Sequence, residues 1–115
     1  MTVPKYRFFV WLVMKKRLQT TAKLYRIGVS ENSNCLICEQ DDETEDHLMF
    51  QCCYSQEVWR RINRWLQIGS QITDVDDIVQ WITDCRKTKE QKEILAAAIG
   101  AVIYHIWWVR NQVYN

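Results

Sequence analysis

The sequence predicts a mainly α fold: a small helical domain built around a cysteine-rich loop, with a long C-terminal helix. Glycine and proline are scarce, at three and one of 115 residues, and this composition favours long helices over a turn-rich β fold. Apolar residues recur at intervals of three and four in several segments, which is the spacing of a helix with one buried face. Because 48% of the residues are apolar, the chain can bury a core.

An N-terminal helix is expected to be buried on more than one side. Pro4 suits a first helical turn, and the apolar side chains that precede and follow Trp11 cover nearly every face of the segment. Several tryptophans lie on apolar stripes, and we predict that they belong to the core. These are Trp11, Trp59, Trp65 and Trp81.

A second, short helix is predicted from the signals at its two ends. Thr20 can cap its N-terminus through the side-chain hydroxyl, and the helix then extends to about Ile27. Leu24 and Ile27 are its predicted buried pair. Gly28 fits the left-handed position that follows a helix, which glycine occupies at little cost.

Three cysteines and one histidine between residues 35 and 52 follow the spacing C-x2-C-x8-H-x4-C. They are Cys35, Cys38, His47 and Cys52. Three thiolates and one imidazole make a complete tetrahedral ligand set for zinc, and four protein ligands leave no open position for water. We therefore predict one structural Zn2+ ion. Cys53 adjoins a proposed ligand and could take its place.

The spacing of the last two candidate ligands constrains the backbone between them. Thr44 can cap a short helix that has His47 in its first turn. His47 and Cys52 are five residues apart, which is about 140° round an ideal helix, so they cannot share one face of it. We predict that this helix ends or loosens near Gln51.

Three further helices are predicted in the second half of the chain. Ser55 is a candidate N-cap for the first of them, and Asp74 is a candidate for the second. Thr88 and Gln91 form a capping-box pattern. This pattern opens a long helix that we expect to extend to about Val113.

Charge is unevenly distributed along the chain, although the net charge is only +1. Residues 1–30 contain seven Lys or Arg and no acidic residue, whereas residues 39–46 contain six acidic residues. One interpretation is a face that contacts the phosphates of RNA or DNA, and the other is an ordinary solvated surface. The candidate phosphate contacts are Lys5, Arg7, Lys15, Lys16, Arg17, Lys23, Arg60, Arg61 and Arg64.

Cysteine usage and hydropathy bear on the cellular compartment. Five cysteines cannot all pair, and no signal peptide is recognisable, so we expect reduced thiols in the nucleus or cytoplasm. The apolar run from Ile94 to Val109 is short for a membrane span, so we expect a buried or interface helix and no membrane. The adjacent Trp107 and Trp108 cannot both face one core, which makes this helix a candidate surface for a protein partner.

The order of motifs over roughly residues 4–65 resembles one known family. The matching runs are Pro4-Lys5, Phe8-Phe9, Trp11, Arg17-Leu18-Gln19-Thr20, Leu24, Gly28-Val29, Cys35-Leu36-Ile37-Cys38, Glu43-Thr44-Glu45-Asp46-His47-Leu48-Met49-Phe50-Gln51-Cys52 and Val58-Trp59. Together they resemble the zinc-binding domain downstream of the reverse transcriptase in plant LINE-class (non-LTR) retrotransposons.

The resemblance implies a zinc-binding, nucleic-acid-associated module over residues 1–68, with a helical C-terminal extension over residues 69–115. It assigns zinc to the cysteines and histidine of the spacing given above. The polymerase portion of such proteins, with its carboxylate motif, is not within these 115 residues, so we expect no enzymatic activity. The alternative is a structural or protein-interaction helical domain in which zinc only stabilises the fold.

Overall fold

The computed structural model describes residues 11–13, 15–66 and 74–114, and this part of the chain is mainly helical. Residues 11–13 are helical, and five longer elements follow. They are α1 (Thr21–Arg26), a π-helix (His47–Gln51), α2 (Cys53–Leu66), α3 (Val75–Asp84) and α4 (Lys89–Tyr114). The described residues form no β-strand, and only an isolated antiparallel bridge joins Asn34 to Asp42. The predicted mainly α fold with a long C-terminal helix is confirmed.

Helix α1 is defined by the predicted signals at its ends. The Thr20 hydroxyl accepts a hydrogen bond from the Lys23 amide at 3.4 Å, so Thr20 is the N-cap. Gly28 follows with φ +83°, the left-handed conformation expected there. Ile27 was predicted to be buried with Leu24, but it is 68% exposed, and it lies at the C-cap, beyond the last helical residue of α1.

The caps of the last two helices are also as predicted. The Asp74 carboxylate accepts from the Asp77 amide at 2.9 Å and starts α3. Before α4, the Thr88 hydroxyl accepts from the Gln91 amide at 3.1 Å, and the Gln91 side chain accepts from the Thr88 amide at 3.0 Å. This reciprocal pair is a capping box, and it satisfies two backbone donors that the helix leaves open.

The core lies where the π-helix meets α2 and α4. The indole N–H of Trp59 donates to the Met49 carbonyl at 2.6 Å, and its ring stacks on Phe50 with centroids 5.6 Å apart. Ser55 was predicted to cap α2, but it lies inside the helix and its hydroxyl donates to the Leu48 carbonyl. The largest fully buried apolar side chains are Leu48, Met49, Ile78, Ile99, Ile103 and Ile106. Burying each contributes about 1.5–3 kcal/mol.

The tryptophans do not all belong to the core as predicted. Trp59 is buried, and Trp81 is half-buried against the core. Trp65 is 85% exposed and Trp11 is 45% exposed. Trp65 follows Trp59 by six residues, which places it about 120° away round the helix, so the two rings cannot share a buried face.

Helix α4 is long and apolar enough to cross a membrane by length and composition, over Lys89–Val113. In the described fold one side of this helix packs into the core through Ile103, which is fully buried. Trp107 is half-buried and Trp108 is 50% exposed, as expected for adjacent residues. Because Ile103 is buried, these three residues do not form one apolar surface patch. The absence of membrane contact stays a prediction.

Candidate metal centre

The structure brings together the side chains of Cys35, Cys38, His47 and Cys52, which we call the Cys3His cluster. Their three sulfurs and one ring nitrogen all lie within 4.8 Å of one another. The sulfurs of Cys35 and Cys52 are 3.9 Å apart, and the Cys38 sulfur is 3.3 Å from Nε2 of His47. Zn–S bonds of about 2.3 Å in a tetrahedron separate two sulfurs by about 3.8 Å, so the donors fit zinc.

The π-helix is what allows His47 and Cys52 to reach the same point. The Cys52 amide donates to the His47 carbonyl at 2.6 Å, an i→i+5 bond that widens the turn. This wider turn brings the residue five positions later closer to the face of the first, whereas in an α-helix it would be displaced by about 140°. The predicted loosening near Gln51 is confirmed. The Thr44 hydroxyl accepts from the His47 amide at 3.1 Å and caps the turn, also as predicted.

The two adjacent cysteines have different environments. Cys52 is fully buried within the cluster, whereas Cys53 is exposed at the first position of α2. All five cysteines are free thiols, and the 3.9 Å between the sulfurs of Cys35 and Cys52 far exceeds a disulfide bond of about 2.05 Å. The geometry therefore favours Cys52 over Cys53 as the fourth donor.

Backbone amides orient the sulfur of Cys38. Desolvation opposes its ionisation, but hydrogen bonds from the amides of Gln40 and Asp41 and from the side chain of His47 prevail and lower its pKa to about 7. The turn ends at Glu39, whose φ of +61° is left-handed. A thiol that ionises near neutral pH is ready to bind a cation.

The other two thiols ionise with difficulty in the absence of a cation. Burial raises the pKa of Cys35, and it raises the pKa of Cys52 to about 12, with a further contribution from the charges of the neighbouring cysteines. Three thiolates so close together repel one another in a medium of low polarity. A divalent cation at their centre reverses this cost, because it stabilises every thiolate.

We expect zinc affinity to rise with pH. Since Cys35 and Cys52 are protonated at neutral pH in the metal-free protein, zinc binding releases at least two protons, and affinity should rise by roughly 100-fold per pH unit near neutrality. Competition with a chelator at several pH values measures this slope. An affinity that did not change with pH would contradict ligation by thiolates.

Two acidic residues of the 39–46 segment are buried, although the sequence suggested a solvated loop. Glu43 is fully buried and Glu45 is 7% exposed. Glu45 accepts from the Leu18 amide and from Nζ of Lys23, both at 2.8 Å. Glu43 accepts from the Leu36 amide at 3.0 Å, inside the Cys35–Cys38 turn. Sequence reasoning missed both, because their partners lie 22 or more residues away in most of these contacts.

Of the candidate phosphate-contacting residues, Lys5 and Arg7 lie outside the described residues. Lys23 already pairs with Glu45, and both Arg60 and Arg61 pair with Glu57, whose pKa these hydrogen bonds lower to about 2. The remaining candidates are exposed. They are Lys15, Lys16, Arg17 and Arg64, of which Arg17 lies over the Trp11 ring at 5.9 Å.

The fold and the cluster first define a class of protein: a small, mainly helical domain with a Cys3His cluster suited to zinc. A family model described as zinc-binding in reverse transcriptase matches residues 1–59, just over half of the chain. The chain belongs to this family, which confirms the predicted domain family, while the LINE class and plant origin stay predictions. No curated protein and no solved structure matches the chain significantly.

The predicted boundary between residues 68 and 69 lies outside the described residues, and the two-domain division stays a prediction.

Proposed function

We propose that Cys35, Cys38, His47 and Cys52 bind one structural zinc ion, and that the zinc organises a nucleic-acid-associated module of a LINE-class reverse transcriptase protein. The observation that carries the proposal is the convergence of three sulfurs and one imidazole nitrogen within 4.8 Å. Membership of the zinc-binding family supports the choice of metal. The thiols must stay reduced to bind it, so the proposed location is an intracellular reducing compartment.

The proposed zinc has a structural role, and the module has no polymerase activity of its own. Four protein donors fill a tetrahedral zinc site and leave no position for a reacting water molecule. Cys35 and Cys52 are fully buried, His47 is 5% exposed and Cys38 is half-buried, so most of the surface of the proposed ion would be covered by protein.

The support for nucleic-acid association is a set of exposed cations and one exposed indole. Lys15, Lys16 and Arg17 are consecutive and exposed. On α2, Trp65 is 85% exposed next to the exposed Arg64. Cations neutralise phosphates, and exposed aromatic rings stack on unpaired bases, so this combination fits single-stranded RNA or DNA.

We expect binding to a single-stranded oligonucleotide to weaken steeply with salt. If Lys15, Lys16, Arg17 and Arg64 each neutralise a phosphate, the slope of log affinity against log salt is about −3. Fluorescence anisotropy over a salt series measures it. Replacing Lys15, Lys16 and Arg17 together with Gln should remove about two units of the slope, since each contact contributes about 0.7.

The matched control replaces three other exposed cations, Arg86, Lys87 and Lys89, with Gln. This variant has the same net charge as the first triple variant, but it keeps Lys15, Lys16 and Arg17, the proposed phosphate contacts. Equal loss of binding in both variants would show that binding depends on net charge and not on these three positions. An affinity that does not change with salt in the unmodified chain would refute nucleic-acid association.

Trp65→Ala should weaken single-strand binding without changing stability. Loss of one stacked base costs about 1–3 kcal/mol of binding free energy, whereas a side chain this exposed contributes little to the fold. Anisotropy and a thermal melt measure the two effects separately. Trp108→Ala, which removes another exposed indole on α4, is the control and should leave binding unchanged.

The alternative function is a structural or protein-interaction domain that uses the outer side of α4. Ile94 is 60% exposed and Trp108 is 50% exposed on this helix, which favours a partner that covers apolar surface. Light scattering across a concentration series distinguishes the two functions. Self-association without any oligonucleotide binding would support the alternative.

A further inference from the structure

We propose that Glu43 and Arg110 are positioning residues of the metal centre, so that α4 belongs to the zinc-binding unit although the family match ends at residue 59. The inference rests on the zinc site proposed above. Neither residue is a metal ligand. Their contacts connect the C-terminal helix to the turn that presents two of the proposed ligand cysteines.

Glu43 holds the cysteine turn from inside the protein. Its Oε2 accepts from the amide of Leu36, the residue after Cys35, at 3.0 Å. Its Oε1 accepts from the amide of Thr21 at 2.7 Å and from the Thr21 hydroxyl at 2.9 Å. Its own amide donates to the Ser33 carbonyl at 2.8 Å. One fully buried side chain therefore fixes both the start of α1 and the turn that begins at Cys35.

Arg110 neutralises this buried carboxylate from α4. Its Nε lies 3.1 and 3.3 Å from the two Glu43 oxygens, and its Nη2 donates to Oε1 at 2.8 Å. Nη2 also lies 3.2 Å from the Gln19 carbonyl, and Nη1 lies 3.1 Å from Asn111 Oδ1. The guanidinium carbon is 4.8 Å from the centre of the Trp107 ring. Arg110 is itself only 4% exposed, so its charge is compensated by these buried partners and not by solvent.

The charge of Arg110 affects zinc binding because Glu43 contacts the turn that carries Cys35. A zinc ion with three thiolates carries one net negative charge. A second, uncompensated anion buried beside it would be unfavourable, and Glu43 would have to become protonated or move towards water. Either change weakens its hydrogen bond to the Leu36 amide and frees the turn that positions Cys35 and Cys38. Arg110 removes this cost, because its fork-shaped cation matches the carboxylate.

We expect Arg110→Met to lower zinc affinity by about 10- to 100-fold, the usual effect of losing a residue that orients metal ligands. Arg110→Lys, which keeps the charge but loses the fork, should fall between Arg110→Met and the unmodified chain. Chelator competition on the full chain gives the zinc affinity. Arg60→Met, which breaks the exposed pair with Glu57, is the surface control and should leave affinity unchanged.

A second control separates positioning from general loss of stability. Ile99→Ala removes a fully buried side chain of α4 that is not part of the Glu43–Arg110 network. If Ile99→Ala lowers the melting temperature as much as Arg110→Met and weakens zinc binding equally, the inference is wrong. Absorption of the Co2+-substituted chain gives an independent result, because the thiolate–cobalt bands report the ligand geometry. These bands should shift in Arg110→Met and not in Ile99→Ala.

The outcomes for this inference and for the zinc site are distinct. An unmodified chain that binds no zinc would overturn both. An unmodified chain that binds zinc, together with an Arg110→Met variant of unchanged affinity and unchanged cobalt spectrum, would overturn only the positioning role of Glu43 and Arg110.

Discussion

Cys52→Ser is expected to abolish zinc binding and to unfold the region around residues 30–55, whereas Cys53→Ser leaves both intact. Zinc contributes on the order of 10 kcal/mol to the folding of small zinc domains, which is comparable to the whole stability of a domain of this size. Serine cannot replace a thiolate as a zinc ligand. Because Cys52 is fully buried in the cluster and Cys53 is exposed, the adjacent thiol cannot substitute without moving the start of α2.

Thermal melts followed by circular dichroism, with and without a chelator, measure this effect. The unmodified chain and Cys53→Ser should lose stability when zinc is removed, and Cys52→Ser should be insensitive to the chelator. Cys85→Ser, at a half-buried thiol remote from the cluster in sequence, is a further control. Equal tolerance of serine at positions 52, 53 and 85 would count against the zinc ligands proposed here.

Glu43→Ala is expected to destabilise the protein by about 3–5 kcal/mol, because it leaves Arg110 as a buried charge with its main partner removed. Glu57→Ala removes a carboxylate that pairs with two arginines on the surface. Exposed ion pairs contribute little to stability because solvent screens them, so this control should change little. Urea unfolding of the zinc-loaded chain measures the free energy of unfolding in each variant.

The double variant Glu43→Leu, Arg110→Met tests whether the cost comes from the unpaired charge. Replacing both members of a buried ion pair with apolar residues of similar size is often nearly neutral for stability. The double variant should therefore recover a large part of the stability that Glu43→Ala loses. If Glu43→Ala and Glu57→Ala had equally small effects, the buried pair would not contribute to the fold as argued.

Local signals made much of the fold predictable from the sequence. Capping depends on a side chain and an amide two or three residues away, so Thr20, Asp74 and the pair Thr88 and Gln91 could be recognised without tertiary information. The four candidate ligands could be recognised for the same reason, since their spacing lies within eighteen residues. Helical geometry alone also predicted that the backbone must loosen before Cys52.

Long-range contacts could not be predicted from the same signals. Nothing near Glu43 distinguishes it from the exposed Asp41 and Asp42, because the guanidinium that neutralises it lies 67 residues further along the chain. The helical stripe on α2 likewise did not reveal which end of the helix leaves the core, and Trp65 was assigned to the wrong side. In both cases burial is decided by where another element packs, which the local sequence does not specify.

The most direct test of the metal centre is elemental analysis of zinc in purified, reduced protein, performed on the unmodified chain beside Cys52→Ser and Cys53→Ser. We predict one zinc per chain in the unmodified protein and in Cys53→Ser, and none retained in Cys52→Ser after dialysis against a weak chelator. An unmodified chain without zinc, or a Cys52→Ser variant that keeps a full equivalent, would contradict the Cys3His zinc site.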